Sequence, residues 1–310
     1  MRGKIRFAVL SFVCAILSLV IPYRTAAVES TPADTVQQTG GSPTLRPASQ
    51  RCINPEQVFL PMGDLFNPLI ADPKEPRFYV SYRMFKFGSS QIHAATTGYG
   101  EFFGLYRHNA SAGGYSWQAD LGGAIHAQFD LHAPSLDLVN ADYVIGFPVS
   151  FRKDNTSYRI ALFHQSSHLG DEFLLHNNVQ RIELSFEALE LLKSHEWREW
   201  RLYYGGDYIV HQGPTNIRPG TIQAGMEYYG QGSGAISKGR LVAGWDLKFD
   251  QEHDWSMNSS VKAGLQFDSS SGDGRYIRVL AEGYKGFTPY GQFYMDRITY
   301  LGIGLYLGFE

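Results

Sequence analysis

The chain has 310 residues, 44% hydrophobic and 18% charged, with a formal net charge of −3. Charges of both signs are spread without a basic block, which removes nucleic acid from the expected partners. Cysteine occurs only at Cys14 and Cys52, so a small scaffold held by disulfides is excluded.

The N-terminus predicts export. Arg2, Lys4 and Arg6 precede an apolar run from Phe7 to Ile21 that only Ser11 and Ser18 interrupt, and Thr25, Ala26 and Ala27 follow. Basic, apolar and small-residue regions in that order read as a signal peptide over residues 1–27. Residues 28–50 are rich in Thr, Ser, Pro, Gln and Gly and read as a flexible periplasmic leader. Residues 51–310 suffice for one large domain. No apolar run beyond the signal reaches the roughly 20 residues of a spanning helix, so any membrane spans are strands.

From Pro76 onward the chain alternates with period two. Tyr115, Trp117, Ala119, Leu121, Gly123, Ile125, Ala127 and Phe129 are set against Ser116, Gln118, Asp120, Gly122, Ala124, His126, Gln128 and Asp130. A helix, repeating every 3.6 residues, keeps no such sets apart, and soluble strands usually run about 5–6 residues. Twelve such segments begin near Arg77, Glu101, Tyr115, Ala141, Ser157, Val179, Arg198, Thr221, Arg240, Ser256, Tyr276 and Ile298. The stretch 179–193 carries enough Leu and Glu for a helix, but Ile182, Leu184 and Phe186 alternate with Glu183, Ser185 and Glu187 as in a strand. The last segment sets Leu301, Ile303, Leu305, Leu307 and Phe309 on one side, with one residue following.

The expected fold is therefore all-β: a single antiparallel transmembrane β-barrel of about 12 strands, in the outer membrane of a bacterium. Membrane lipid and, during insertion, the barrel-assembly machinery are the expected partners. A soluble β-sandwich or lipocalin-like barrel is the alternative, and segment length, even strand count and 14% aromatic residues weigh against it. Arg159, Arg181, Glu183, Glu187, Arg201, Glu227, Asp246, Lys248 and Lys262 fall on the polar faces and are expected to point into a wet or salt-bridged lumen; their mixed signs suggest a plugged one, while the sequence leaves open or plugged undecided.

One segment suggests chemistry. With both termini periplasmic, the fifth segment runs outward; its even positions Tyr158, Ile160, Leu162, His164, Ser166 and His168 face lipid, and Arg159, Ala161, Phe163, Gln165 and Ser167 face the lumen. Residues i and i+2 share a face ~7 Å apart, within reach of an imidazole and a hydroxyl. A serine nucleophile needs such a base, and the base needs a third group to hold its tautomer. A turn centred near Glu172 pairs Ser166 with Asn178 and His164 with Gln180, on a face also carrying Ile182, Leu184, Phe186 and Ala188.

His164-Gln165-Ser166, with Asn178 twelve positions after the serine, resembles the catalytic signature of outer-membrane phospholipase A. The resemblance implies Ser166 as nucleophile, His164 as general base, Asn178 as orienting partner and an outer-leaflet acyl ester as substrate. Calcium as cofactor and a homodimer as active assembly are further implications. Lipid A deacylases use a similar His-x-Ser pair with an acidic third residue. The Asn-Gly usual after the serine in those families is replaced by Ser167-His168-Leu169-Gly170. Over nearly the whole mature chain, Phe66-Asn67-Pro68-Leu69-Ile70-Ala71-Asp72-Pro73, the stretch His164–Asp171 and Leu202-Tyr203-Tyr204-Gly205-Gly206 resemble the bacterial family known as domain of unknown function 1207. That likeness implies an exported β-rich protein without an assigned activity.

Two readings remain open: a serine lipid acyl hydrolase, and a non-enzymatic structural barrel or narrow pore. In the second, His164 to His168 sit in a solvated rim, where His168, Asp171 and Glu172 either bind a cation or are plain loop. The ten histidines show no paired zinc spacing, and Gly230–Gly234 lacks the lysine and helix of a phosphate cradle.

Overall fold

The computed structural model describes residues 56–87, 90–111, 113–177, 179–231, 239–270 and 274–309. The expected signal peptide and leader lie outside these residues. A short strand β1 (Gln57–Phe59) precedes twelve long ones: β2 (Phe78–Phe87), β3 (Ser90–His108), β4 (Ser116–Asp130), β5 (Leu138–Lys153), β6 (Thr156–Leu169), β7 (Leu184–Trp197), β8 (Trp200–Gln212), β9 (Gly220–Tyr229), β10 (Arg240–Asp250), β11 (Ser256–Asp268), β12 (Arg275–Phe287) and β13 (Arg297–Phe309). Each of the twelve pairs antiparallel with its chain neighbours, and β13 returns to β2 from Thr299↔Lys86 to Leu307↔Phe78. The sheet is thereby closed, and β1 lies on β3 beyond the reach of β2, with Gln57 opposite His108.

Alternation decides which face is outside. On β13, Leu301, Ile303, Leu305 and Leu307 are 42–62% exposed, whereas Tyr300 and Tyr306 are 1% exposed. The same inversion runs round the wall, with apolar chains outward and Arg83, Gln118, Arg201, Glu227 and Lys262 buried inside. That is the pattern of a barrel solvated by lipid. Among the described residues no helix is long and apolar enough to cross a membrane. Large luminal side chains are accommodated by glycines opposite them. Tyr79 pairs with Gly98, where a Cβ would lie 2.2 Å from the ring, and Tyr203 pairs with Gly225 in the same way.

Ten of the twelve strands begin within three residues of their expected starts. β3 begins at Ser90 instead of near Glu101, because the small residues Ala94, Ala95, Thr96, Thr97 and Gly98 blur its alternation. β7 begins at Leu184 instead of near Val179, because the preceding connection holds a one-and-a-half-turn helix α1 (Asp171–His176) and a non-strand run up to Glu183. Arg181 and Glu183 are consequently loop residues, not luminal charges.

Residues 60–77 are not part of the wall. Pro61, Pro68, Pro73 and Pro76 remove ladder donors and keep this stretch out of the sheet. It enters the lumen instead, where Leu69, Ile70 and Ala71 are fully buried. Its charges meet opposite charges from the wall. Arg159 donates Nη1 to Glu75 (2.6 Å) and Nε to Glu190 (2.7 Å), Lys248 stands 3.0 Å from Asp72, and Lys74 pairs with Asp142. Glu227 accepts the Ile70 amide (2.5 Å) and the Arg201 guanidinium (2.9 Å), while Phe66 lies beneath Arg201 and Arg159. The polar backbone of the plug is satisfied too: Ser260 donates to the Ala71 carbonyl, and Arg77 donates to the carbonyls of Leu69 and Ile70.

Breaking a buried ion pair by removing one partner leaves an uncompensated charge, at about 3–5 kcal/mol. Arg159→Met strands both Glu75 and Glu190 and should lower unfolding free energy by about that amount, read from urea titration in micelles. Replacing Asp72, Lys74 and Glu75 together by serine should release the plug. Planar-bilayer recordings should then show conductance steps that the unaltered protein lacks.

Candidate active site

The connection 170–183 follows β6 at the rim opposite the two described chain ends and is the longest at that rim. Two contacts hold it down. Gln292, buried in the β12–β13 connection, donates Nε2 to the carbonyls of Ser167 (2.8 Å) and Ile182 (2.7 Å) and accepts the Ile182 amide (3.0 Å). His176, closing α1, contacts Asp137 at 2.6 Å. The Ser135 hydroxyl and the His176 imidazole together hold the Asp137 carboxyl below its ordinary range, so this tether is lost as pH falls through that lowered value.

β6 projects its side chains as the sequence predicts. Ser157, Arg159, Ala161 and Ser167 are buried toward the lumen, while Ile160 and His168 are exposed outside. His164 and Ser166 therefore share the outer face, and the His164 side chain is 38% exposed.

The partner strand differs from expectation. Ser166 lies opposite Ser185 and His164 opposite Glu187, not Asn178 and Gln180. The register is displaced by seven residues (185 − 178), and any odd displacement turns every side chain over. Leu184 and Ala188 are buried inside, Phe186 packs edge-on against luminal Phe163, and Ser185, Glu187, Leu189 and Leu191 face outward. Glu187, expected in the lumen, thus stands beside His164. Asn178 lies outside the described residues.

Glu187 accepts one hydrogen bond from each side. Its Oε1 is 2.9 Å from His164 Nδ1, and its Oε2 is 2.5 Å from His211 Nδ1. The second contact depends on a bulge. Glu187 pairs with His211 but Ala188 with Ile209, so Val210 is an extra residue in β8. Were Val210 instead paired with Glu187 in regular alternation, His211 would fall on the luminal side; bulges re-aim side chains in this way and recur beside active sites. The result is a polar row, His164–Glu187–His211, across three strands. It lies above the exposed apolar chains of Ile160, Leu189, Leu191 and Tyr208.

This row can hold one imidazole tautomer. With Nδ1–H given to Glu187, His164 keeps Nε2 as an acceptor on the face that carries Ser166. The sequence singles out Ser166 and His164 but misses Glu187 and His211. A glutamate alternating with Phe186 reads as luminal, and a single-residue bulge leaves no compositional trace.

Calcium takes six to eight oxygen ligands. Among the described residues no group of three or more His, Cys, Asp or Glu side chains is placed to hold a metal ion. His168 instead stacks edge-on with Tyr143, and Asp171 and Glu172 are exposed on α1. Among the described residues the donor set does not fit calcium.

A closed, lipid-facing, twelve-stranded barrel with a filled lumen and a polar row at one rim is an outer-membrane-type β-barrel. The chain belongs to the family described as protein of unknown function (DUF1207), whose profile matches residues 7–309. No curated protein matches its sequence. Among solved structures, outer membrane phospholipase A from Escherichia coli is similar at a TM-score of 0.53 and 12% identity, over 79% of this chain and 94% of that one. The Salmonella typhi outer membrane phospholipase dimer with bound calcium gives 0.48 and 12%, over 76% and 94%. KdgM porin gives 0.41 and 8%, over 75% and 99%. At these identities the first likeness shows the fold.

Deleting Val210 should restore regular pairing and leave residue 211 opposite Glu187 on the outer face, because the inward Ile209 would then directly precede it. A His211→Cys variant should react with a bulky maleimide added to the refolded protein both with and without Val210; a protected cysteine in the presence of Val210 would mean that β8 pairs regularly there and carries residue 211 inside.

Proposed function

We propose that this barrel is an outer-leaflet lipid acyl hydrolase of the bacterial outer membrane, with Ser166 as nucleophile, His164 as general base and Glu187 as the group that orients it. The observation that carries the reading is the 2.9 Å contact of His164 Nδ1 with Glu187, on the outer face that also holds Ser166. A polar row of this kind on a lipid-facing wall is expensive unless it has work to do. Glu187 takes the place the sequence suggested for Asn178, and matches the acidic third residue of lipid A deacylase-like sites.

In the proposed reaction Ser166 Oγ attacks the acyl carbonyl carbon while its proton passes to His164 Nε2. The tetrahedral intermediate collapses, the ester C–O bond breaks, and His164 returns the proton to the departing lipid oxygen. Water, deprotonated by the same imidazole, then releases the fatty acid and restores Ser166. The imidazolium formed in each half is stabilised by Glu187, and His211 keeps that carboxylate in place. The fold similarity to outer membrane phospholipase A agrees with this reading. Phospholipid and lipid A are both candidate substrates, and a homodimer is a candidate assembly.

The buried luminal network favours a second reading, a purely structural barrel, because a closed lumen is stable without any chemistry. Fatty-acid release from phospholipid and lipid A vesicles, with and without calcium, separates the two. Folded protein should release fatty acid, Ser166→Ala should release none, and Glu187→Ala should lower the rate roughly 10²-fold, the scale of a misdirected general base. Surface changes of this kind alter stability by only about 0.5 kcal/mol, so folding serves as the control. Inert but folded parent protein on every lipid would leave the structural barrel standing.

A further inference from the structure

The rim that carries the polar row outside also opens inward. A cavity of about 260 Å³ lies inside the barrel, floored by plug residues Asp72 to Pro76 and bordered above by the connections 213–219, 251–255 and 288–296. Its lining changes with depth. Near the rim β6, β7 and β8 give it an apolar side, Phe163, Phe186 and Ile209. Deeper, the same strands carry Arg159, Glu190 and Asp207, and the lining as a whole holds seven carboxylates against four Lys or Arg side chains.

Most of those charges are already engaged. Glu75 and Glu190 are held by Arg159, Asp72 by Lys248, and Glu252 by Arg218. Asp246 accepts from Tyr203 and Gln223, and Asp250 from Thr221 and Asn258. Asp207 is the exception. It lies on β8 between Glu190 and Thr221 in register, lines the cavity, and has no hydrogen bond or ion pair among the described residues. Gln165, on the apolar side, is likewise unpartnered there. The cation that acts on Asp207, from beyond contact, is Lys248, which Asp72 already holds. A carboxylate with no direct partner in a half-enclosed, low-dielectric space attracts a further cation. Ligand sites combine such a polar anchor with a mainly apolar, aromatic wall.

We infer that this cavity is a binding site for a compact organic cation, an ammonium carried on an apolar body, with the ammonium on Asp207 and the body against Phe163, Phe186 and Ile209. The volume is just below the ~300 Å³ at which drug-sized ligands begin, which limits the ligand to a small one. The plug closes the cavity below, so the ligand enters and leaves by the same rim. Gln165 stands four positions further toward the rim on β6 than the level of Asp207, about 13 Å along the strand, and is placed to meet a polar group at the far end of the ligand's body. The site is separate from the outer-face hydrolase row and stands whether or not that row is catalytic.

Three near-isosteric probes test it by isothermal titration of the refolded mature chain in micelles: phenethylammonium, 2-phenylethanol and phenylacetate. The cation should bind at least tenfold more tightly than the alcohol, and the anion should not bind. Asp207→Asn should weaken the cation at least tenfold and leave the alcohol unchanged. Ile209→Lys, which carries an ammonium of its own into the cavity, should abolish cation binding in a folded protein and covers the case in which Asp207→Asn fails to fold. Equal affinity for cation and alcohol, or a folded Asp207→Asn or Ile209→Lys protein that binds the cation as the parent does, overturns the assignment.

Discussion

The structure depends on opposite charges meeting inside a narrow lumen. A twelve-stranded wall with lipid outside must turn its polar residues inward, and there each charge needs a partner or water. The wall alone does not supply enough partners. Arg159 has Glu190 across the strand, but its second guanidinium edge is met by Glu75 of the plug, and Lys248 is met by Asp72. Segment 60–77 therefore serves as the counter-charge of the barrel as well as its stopper. Its prolines keep it irregular, and its apolar centre, Leu69 to Ala71, fills the space that paired charges leave dry.

A rigid interior holds the polar row of the outer face in place. β6, β7 and β8 are anchored on their luminal side by Arg159–Glu190 and by the Phe163–Phe186 contact. The same three strands present His164, Glu187 and His211 outward. Positions on strands braced from behind are held more precisely than positions on loops. The bulge at Val210 is the one irregularity in this part of the wall, and it brings the third side chain of the row to the outer surface. Gln292 and the His176–Asp137 pair then fix the connection that rises next to Ser166.

Much of the fold is legible in the sequence because lipid enforces a strict rule. Alternation at Tyr115–Asp130 and at Leu301–Phe309 locates strands to within a residue or two, since every outward position there must be apolar. The rule fails where both sides are apolar. At β7, Leu184, Phe186 and Ala188 read as a lipid face, but they meet the apolar wall of the inner cavity, so the true outward set, with Glu187, reads as the inner one. Period two identifies a strand without saying which side is which. The plug is hidden for another reason. Phe66 to Pro73 stands out as a motif, yet its irregular backbone gives no periodicity, and its hydrogen-bond partners are up to 189 positions away. Ser166 and His164 are legible because they are two residues apart on one strand; Glu187 and His211 require the register of two further strands.

The central claim is that Ser166 is an activated nucleophile on the outer wall, and covalent trapping tests it whatever the lipid substrate is. An alkyl fluorophosphonate should modify the folded protein in lipid vesicles once, with the adduct on the peptide that contains Ser166, and Glu187→Ala should slow the labelling. A folded protein that resists the reagent, or is modified equally when Ser166 is replaced by alanine, would contradict the account.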